Sequence, residues 1–294
     1  MAELSLEGAA PAPPRRPLPA QLKAGLLIVG AIVLLSLLAP WIAPHPWDTI
    51  SIRTRFQPPS LTYWFGTDDY GRDVLSRLLM GGRLSLAMGI GATIISVLFG
   101  VPVGLIAGYF GGKVDETLMR IADVLMAIPA IMLGLLVLAV TPPALWKTAV
   151  AVGFVYVPLI ARVARSVTLG LARVEFVEAA RARAESAAHI LFREILPNAW
   201  PPLIVEASLR VTYAILLGSA LSFLGLGAQP PSSDWGLMIS EARAFIDRAP
   251  WIALAPGFAM CLLVIGINLI GDGLRERLDP RLKGQIAQTA KVEA

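Results

Sequence analysis

Apolar, uncharged stretches recur along the chain, separated by short charged intervals. Five are long: Ala24–Pro44 (21 residues), Leu84–Gly112 (29), Val124–Trp146 (23), Val211–Ser233 (23) and Pro250–Gly271 (22). About 20 apolar residues, at 1.5 Å of rise each, cross a bilayer core of roughly 30 Å. A sixth run, Thr148–Ala161, has only 14 residues, short enough by length alone for a re-entrant or buried helix. Arg162 and Arg165 can snorkel from its end. The pattern predicts an all-α polytopic membrane protein with six transmembrane helices in one domain, residues 24–271. The outer loop, 45–83, ends in Arg72–Leu84, where Val74, Leu75, Leu78 and Leu79 mix with Arg72, Asp73, Arg77 and Arg83. That mixture predicts a helix lying along the membrane surface. Gly100, Gly104 and Gly108 repeat every fourth residue in the second span. The spacing predicts close helix packing, with a gating hinge as the lesser reading. Between spans five and six, a short re-entrant or surface helix is expected around 236–246, with Trp235 and Trp251 in the interfacial belt.

Composition agrees with the pattern. The chain is 56% hydrophobic and 16% charged, against about 45–50% and about 25% for soluble domains. The first run exceeds the 7–15 apolar residues of a signal peptide, so it is expected to stay as a span. Residues 1–23, with APAPPRRPLPA, are expected to be a disordered cytoplasmic tail, and 272–294 a second cytoplasmic tail. Cys261 is the sole cysteine, which excludes an intrachain disulfide.

Charge orients the chain. With the N-terminus inside and six crossings, 16 of the 25 Lys and Arg residues fall in inner segments, 8 in outer ones, and Arg210 lies within a span. Lys and Arg enrich short cytoplasmic segments, so both termini are expected in the cytoplasm. That placement explains the net charge of +4 without a nucleic-acid partner.

Residues for chemistry are scarce. Gly111-Gly112-Lys113 is followed by Val, not Ser or Thr, so no phosphate-cradling loop is present. His45 and His189 fall on opposite sides, and no HExxH or Gly-x-Ser-x-Gly occurs. Asp68, Asp69 and Asp73 permit a paired-carboxylate site, although a solvated turn is the favoured reading. Glu206 and Arg210, four residues apart in span five, either neutralise one another or line a translocation path. An intramembrane enzyme therefore has no catalytic constellation.

One segment departs from the apolar pattern. EFVEAARARAESAAHILFREILPNAW, Glu175–Trp200, carries seven charges in its first twenty residues. It sits in the inner loop 167–200, is rich in helix formers, and Pro197 predicts a stop before span five. A slim, alanine-rich helix suits a groove on another protein; an ordinary solvated connector is the alternative.

EAARARAESAAHILFREILPNA resembles the EAA loop of binding-protein-dependent ABC importers, whose pattern is Glu-Ala-Ala, three residues, Gly, nine residues, Ile-x-Leu-Pro. Glu178, Ala179, Ala180, Leu196 and Pro197 match; Ala184 replaces the Gly and Glu194 the Ile. Alanine resists positive φ, so an altered turn or a continuous helix is expected at 184. FGTDDYGRDVLSRLLMGGRLSL, AGYFGGKVDETLMRIADVLMAIP, LSFLGLGAQPPSSDWGLMI and GDGLRERLDPRLKG are similar to the second permease of dipeptide, oligopeptide and nickel importers. The resemblance implies a type I ABC importer permease in a bacterial or archaeal plasma membrane. It implies a homologous second permease, two cytoplasmic ATP-binding subunits that use ATP-Mg, and an extracytoplasmic substrate-binding protein. No cofactor is expected on this chain. Glu178 is then expected to contact the ATPase and Ala179 and Ala180 to pack against it, with help from Arg181. Ala184 lies in the same coupling turn, and Leu196 and Pro197 set the angle into span five. Asp68, Asp69, Arg72 and Asp73 are placed to meet the binding protein. A self-sufficient secondary carrier or channel is the alternative, and the cargo stays open.

Overall fold

The computed structural model describes residues 18–278; most of the expected tails, 1–23 and 272–294, lies outside them. The described residues form helices and loops, with no strand among them. In chain order they are α1 (Ala20–Ile42), α2 (Val74–Phe110), α3 (Gly112–Ala127), α4 (Ala130–Ala139), α5 (Leu145–Leu171), α6 (Glu175–Ala182), α7 (Ala187–His189), α8 (Leu196–Phe223), α9 (Trp235–Ala242) and α10 (Trp251–Leu278). A π-helical turn, Ile190–Ile195, fuses α7 to α8. Five helical runs are long and apolar enough to cross a membrane, and a sixth if α3 and α4 count as one broken span.

The elements differ from the sequence pattern in three places. The expected surface helix at Arg72–Leu84 is instead the start of α2, which runs 37 residues without a break. Asp73 caps it by accepting from the Ser76 amide at 3.0 Å, satisfying an otherwise orphaned donor. The third span is broken, with α3 and α4 meeting at 88°. Ile128 is extended because Pro129 follows it, and a residue before proline avoids the α region. The short fourth run belongs to a 27-residue helix, α5. Its arginines are paired with α3: Arg162 Nη2 meets Asp123 at 2.5 Å, and Arg165 grips Asp115 through both Nε and Nη2.

The bundle's main seam lies between α2 and α5. A Cβ added at Gly104 would sit 2.3 Å from the Ala161 carbonyl oxygen, and one at Gly100 2.7 Å from Ile160 Cβ. The glycine spacing therefore lets two helix backbones touch. Around the seam, Val101, Leu105, Ile160 and Ala164 join Val177, Ala180, Ile190 and Ile195 in one buried cluster. Leu22 of α1 contacts Gly273 of α10, and Asn198 and Arg275 share a cleft. The described ends and the charged segment thus lie at one end of the bundle, with the outer loop and α9 at the other.

Gly104→Ala should lower stability by about 1–3 kcal/mol, since the added methyl overpacks a backbone contact that cannot move aside. Thermal unfolding of the purified variant in detergent checks this, and an unchanged midpoint would remove the glycine seam as a constraint.

Candidate functional site

The charged segment is built as a bracket on the bundle end. α6 turns Val177 and Ala180 inward, both with no exposed surface, into the cluster shared with α2, α5 and α8. Glu178, Ala179 and Arg181 face outward. The expectation that Ala180 packs against another protein is corrected here, because a helix of eight residues has one inner face and Ala180 is on it. Arg181 lies 5.0 Å from the ring centre of Tyr109 at the end of α2, a cation–π contact. Leu196 packs partly on the cluster and Pro197 is exposed.

Ala184 adopts φ +55°, a left-handed conformation costing a non-glycine residue roughly 1–2 kcal/mol. The Glu185 amide donates to the Ala180 carbonyl at 3.2 Å, and the Ala184 amide to the Arg181 carbonyl at 2.9 Å. These are the paired bonds of a Schellman cap. The turn keeps a glycine-type geometry with alanine in it, and the continuous-helix expectation does not hold.

Pro197 does not stop the chain either. The helix passes through Pro197, Pro201 and Pro202 into α8. The π turn shifts the hydrogen-bond register ahead of the prolines, and Asn198 Nδ2 donates to the Glu194 carbonyl at 2.7 Å.

The opposite end carries a buried ionic cluster where a solvated loop was expected. Asp68, with no exposed surface, receives Arg72 Nε and Arg77 Nη1, both at 2.6 Å. Glu241 of α9 receives Arg77 Nη2 at 2.8 Å and Arg72 Nη2 at 3.2 Å. Asp68, Arg72 and Asp73 are thus turned into their own chain and offer no face to a partner; Asp69 is partly accessible. Burial, then the charges of Asp68 and Glu241, raises the Asp69 carboxyl above its ordinary range. Arg77 and Glu241 escaped sequence reasoning because they are 164 residues apart. The nearby i,i+4 pair Asp68–Arg72 was the only local signal.

α9 is locked beside this cluster. Trp235, expected at the interface, is 2% exposed; its indole donates to the Leu78 carbonyl at 2.9 Å, over Gly81 and Gly82. Asp234 caps α9 and accepts from Ser85 Oγ at 2.8 Å, and burial raises its carboxyl.

Glu206 and Arg210 do pair, with Arg210 Nε 2.7 Å from Glu206 Oε1. The guanidinium also lies 5.0 Å from the centre of the Tyr213 ring. Glu206 also lines a cleft of about 590 Å³ with Asn198, Val205, Leu209 and Arg275. Glu185, His189 and Glu194 have metal-ligand spacing, all three donor atoms lying within 4.8 Å of one another. Arg183 reaches both carboxylates, at 2.7 and 4.0 Å, and offsets part of their negative charge.

Together the bundle and its end-mounted bracket define a polytopic helical permease. Residues 100–284 match the family described as binding-protein-dependent transport system inner membrane component, and 23–59 the N-terminal transmembrane domain of oligopeptide transport permease C. The chain belongs to the family of binding-protein-dependent transport inner membrane components. It is 43% identical to the dipeptide transport system permease protein DppC of Alkalihalophilus pseudofirmus, over 88% of this chain and 85% of that one. A di/tripeptide transport system permease protein of Pseudomonas aeruginosa is 39% identical over 88% of each chain. Among solved structures, the inward-facing MetNI methionine ABC transporter matches with a TM-score of 0.59 at 21% identity, over 70% of this chain and 97% of that one. The fold is that of a type I ABC importer permease.

Arg77→Ala should destabilise the protein by about 3–5 kcal/mol, because Asp68 and Glu241 would lose a buried partner; denaturant unfolding measures the loss. Asp69→Asn should leave the protein as stable or more stable at neutral pH. Folding raises the Asp69 pKa, so ionising this carboxyl opposes folding. The advantage of Asn should vanish on acidification below the ordinary carboxylate range, and thermal melts across pH follow it.

Proposed function

We propose that this chain forms half of the translocation pore of an ATP-driven importer of di- and oligopeptides. A homologous second permease completes the pore. Two cytoplasmic ATPase subunits, using ATP-Mg, drive it, and an extracytoplasmic binding protein delivers the cargo. This chain binds no nucleotide or cofactor of its own. The observation that carries the reading is the bracket: α6 shows Glu178 and Ala179 outward while Val177 and Ala180 key it into α2, α5 and α8. A push on α6 is thereby delivered to three spans, which alternating access requires.

Lys and Arg bias puts the bracket and both termini in the cytoplasm of a plasma membrane, an inner membrane where two are present. The names of the relatives, dipeptide and di/tripeptide permeases, support peptide cargo. On the outer side, exposed Leu61, Trp64 and Tyr70 are better placed to meet a binding protein than the buried Asp68, Arg72 and Asp73.

Glu178→Arg should leave the chain inserted and the complex ATP-competent while cutting ATP-dependent peptide uptake at least tenfold. Uptake by the reconstituted complex, measured beside ATP hydrolysis, decides it. Normal uptake removes Glu178 from coupling. Flux through the chain alone, without ATPase subunits, would favour the self-sufficient carrier instead.

A further inference from the structure

Ala184 holds a conformation that alanine disfavours, at the corner between the docking helix and the span it moves. The residues on either side of it are bonded to each other across that corner: Arg183 Nε meets Glu185 Oε1 at 2.7 Å. Both then reach the following helical run. Arg183 Nη2 lies 4.0 Å from Glu194, and Glu185 Oε2, closed off from solvent, lies 3.2 Å from His189 Nε2.

Exposed ion pairs are worth little one at a time, so two features set this group apart. It closes around a single strained residue instead of lying along one helix. Its fourth member is also placed by an unusual backbone. Residues five apart on an α-helix point about 140° away from each other, which would separate His189 from Glu194. The π turn at Ile190–Ile195, with its i→i+5 bonding, brings Glu194 back over His189. Backbone and side chains thus converge on the same corner.

We propose that Arg183, Glu185, His189 and Glu194 form a charged brace that holds Ala184 left-handed and fixes the angle between α6 and α8. This rests on the coupling reading of α6 and supplies its stiffness: a lever transmits a push only if its elbow does not flex. A glycine at 184 adopts positive φ without strain and would need no brace. The four side chains are positioning residues, acting through the turn.

The test pairs a loss with a rescue. In the full-length chain, Arg183→Ala should speed hydrogen exchange at the Glu185 amide on the order of threefold to fivefold. In the assembled transporter the same variant should lower uptake per ATP hydrolysed severalfold. Adding Ala184→Gly should return both readouts to within about twofold of the parent. Glu185→Gln, again with and without Ala184→Gly, repeats the comparison should Arg183→Ala fail to fold. Unchanged exchange, or a loss that glycine does not restore, overturns the brace. Faster exchange with intact coupling also overturns it, provided that Glu178→Arg still uncouples. If Glu178→Arg has no effect either, the docking reading is what has failed, while the exchange data still judge the elbow.

Discussion

The backbone contact between α2 and α5 is the constraint on which the rest of the molecule depends. In a lipid-surrounded bundle, helices gain little from simple apolar burial and associate through close packing and hydrogen bonds. Gly100, Gly104 and Gly108 let α2 lie directly on the α5 backbone. That seam forms the floor on which Val177, Ala180, Ile190 and Ile195 settle. Without it α6 would have no fixed seat, and its outward face no defined direction.

Charge is handled differently at the two ends. At one end, charges are buried and shared: two arginines and two carboxylates tie the loop after α1, the start of α2 and α9 into one unit. Breaking such a group leaves an uncompensated buried ion, so this end behaves as a rigid cap. At the other end, charges are mostly exposed and arranged around turns. Arg181 on Tyr109 and Arg165 on Asp115 bind the helix ends there without closing them off.

A tied cluster at one end and a bracket of short helices at the other give the two ends of this permease different characters. The bracket of short helices presents a defined angle between α6 and α8. Around that angle lie an alanine in a left-handed conformation, a π turn, and three prolines, Pro197, Pro201 and Pro202, that the helix absorbs.

The sequence by itself determined the helical membrane class, five of the apolar spans, the glycine seam, the short helix before α10 and the place of the charged segment between α5 and α8. Each is a matter of local composition or fixed spacing, and periodicity reports those directly. Only the tertiary structure decided that α3 and α4 are broken, that Ala180 faces inward and Ala179 outward, and that Trp235 is core. It likewise turned Asp68, expected in a wet loop, into the centre of a buried cluster with Arg72, Arg77 and Glu241. Those outcomes depend on which distant residue arrives next to which, and pairing across 164 residues leaves no local mark in the chain.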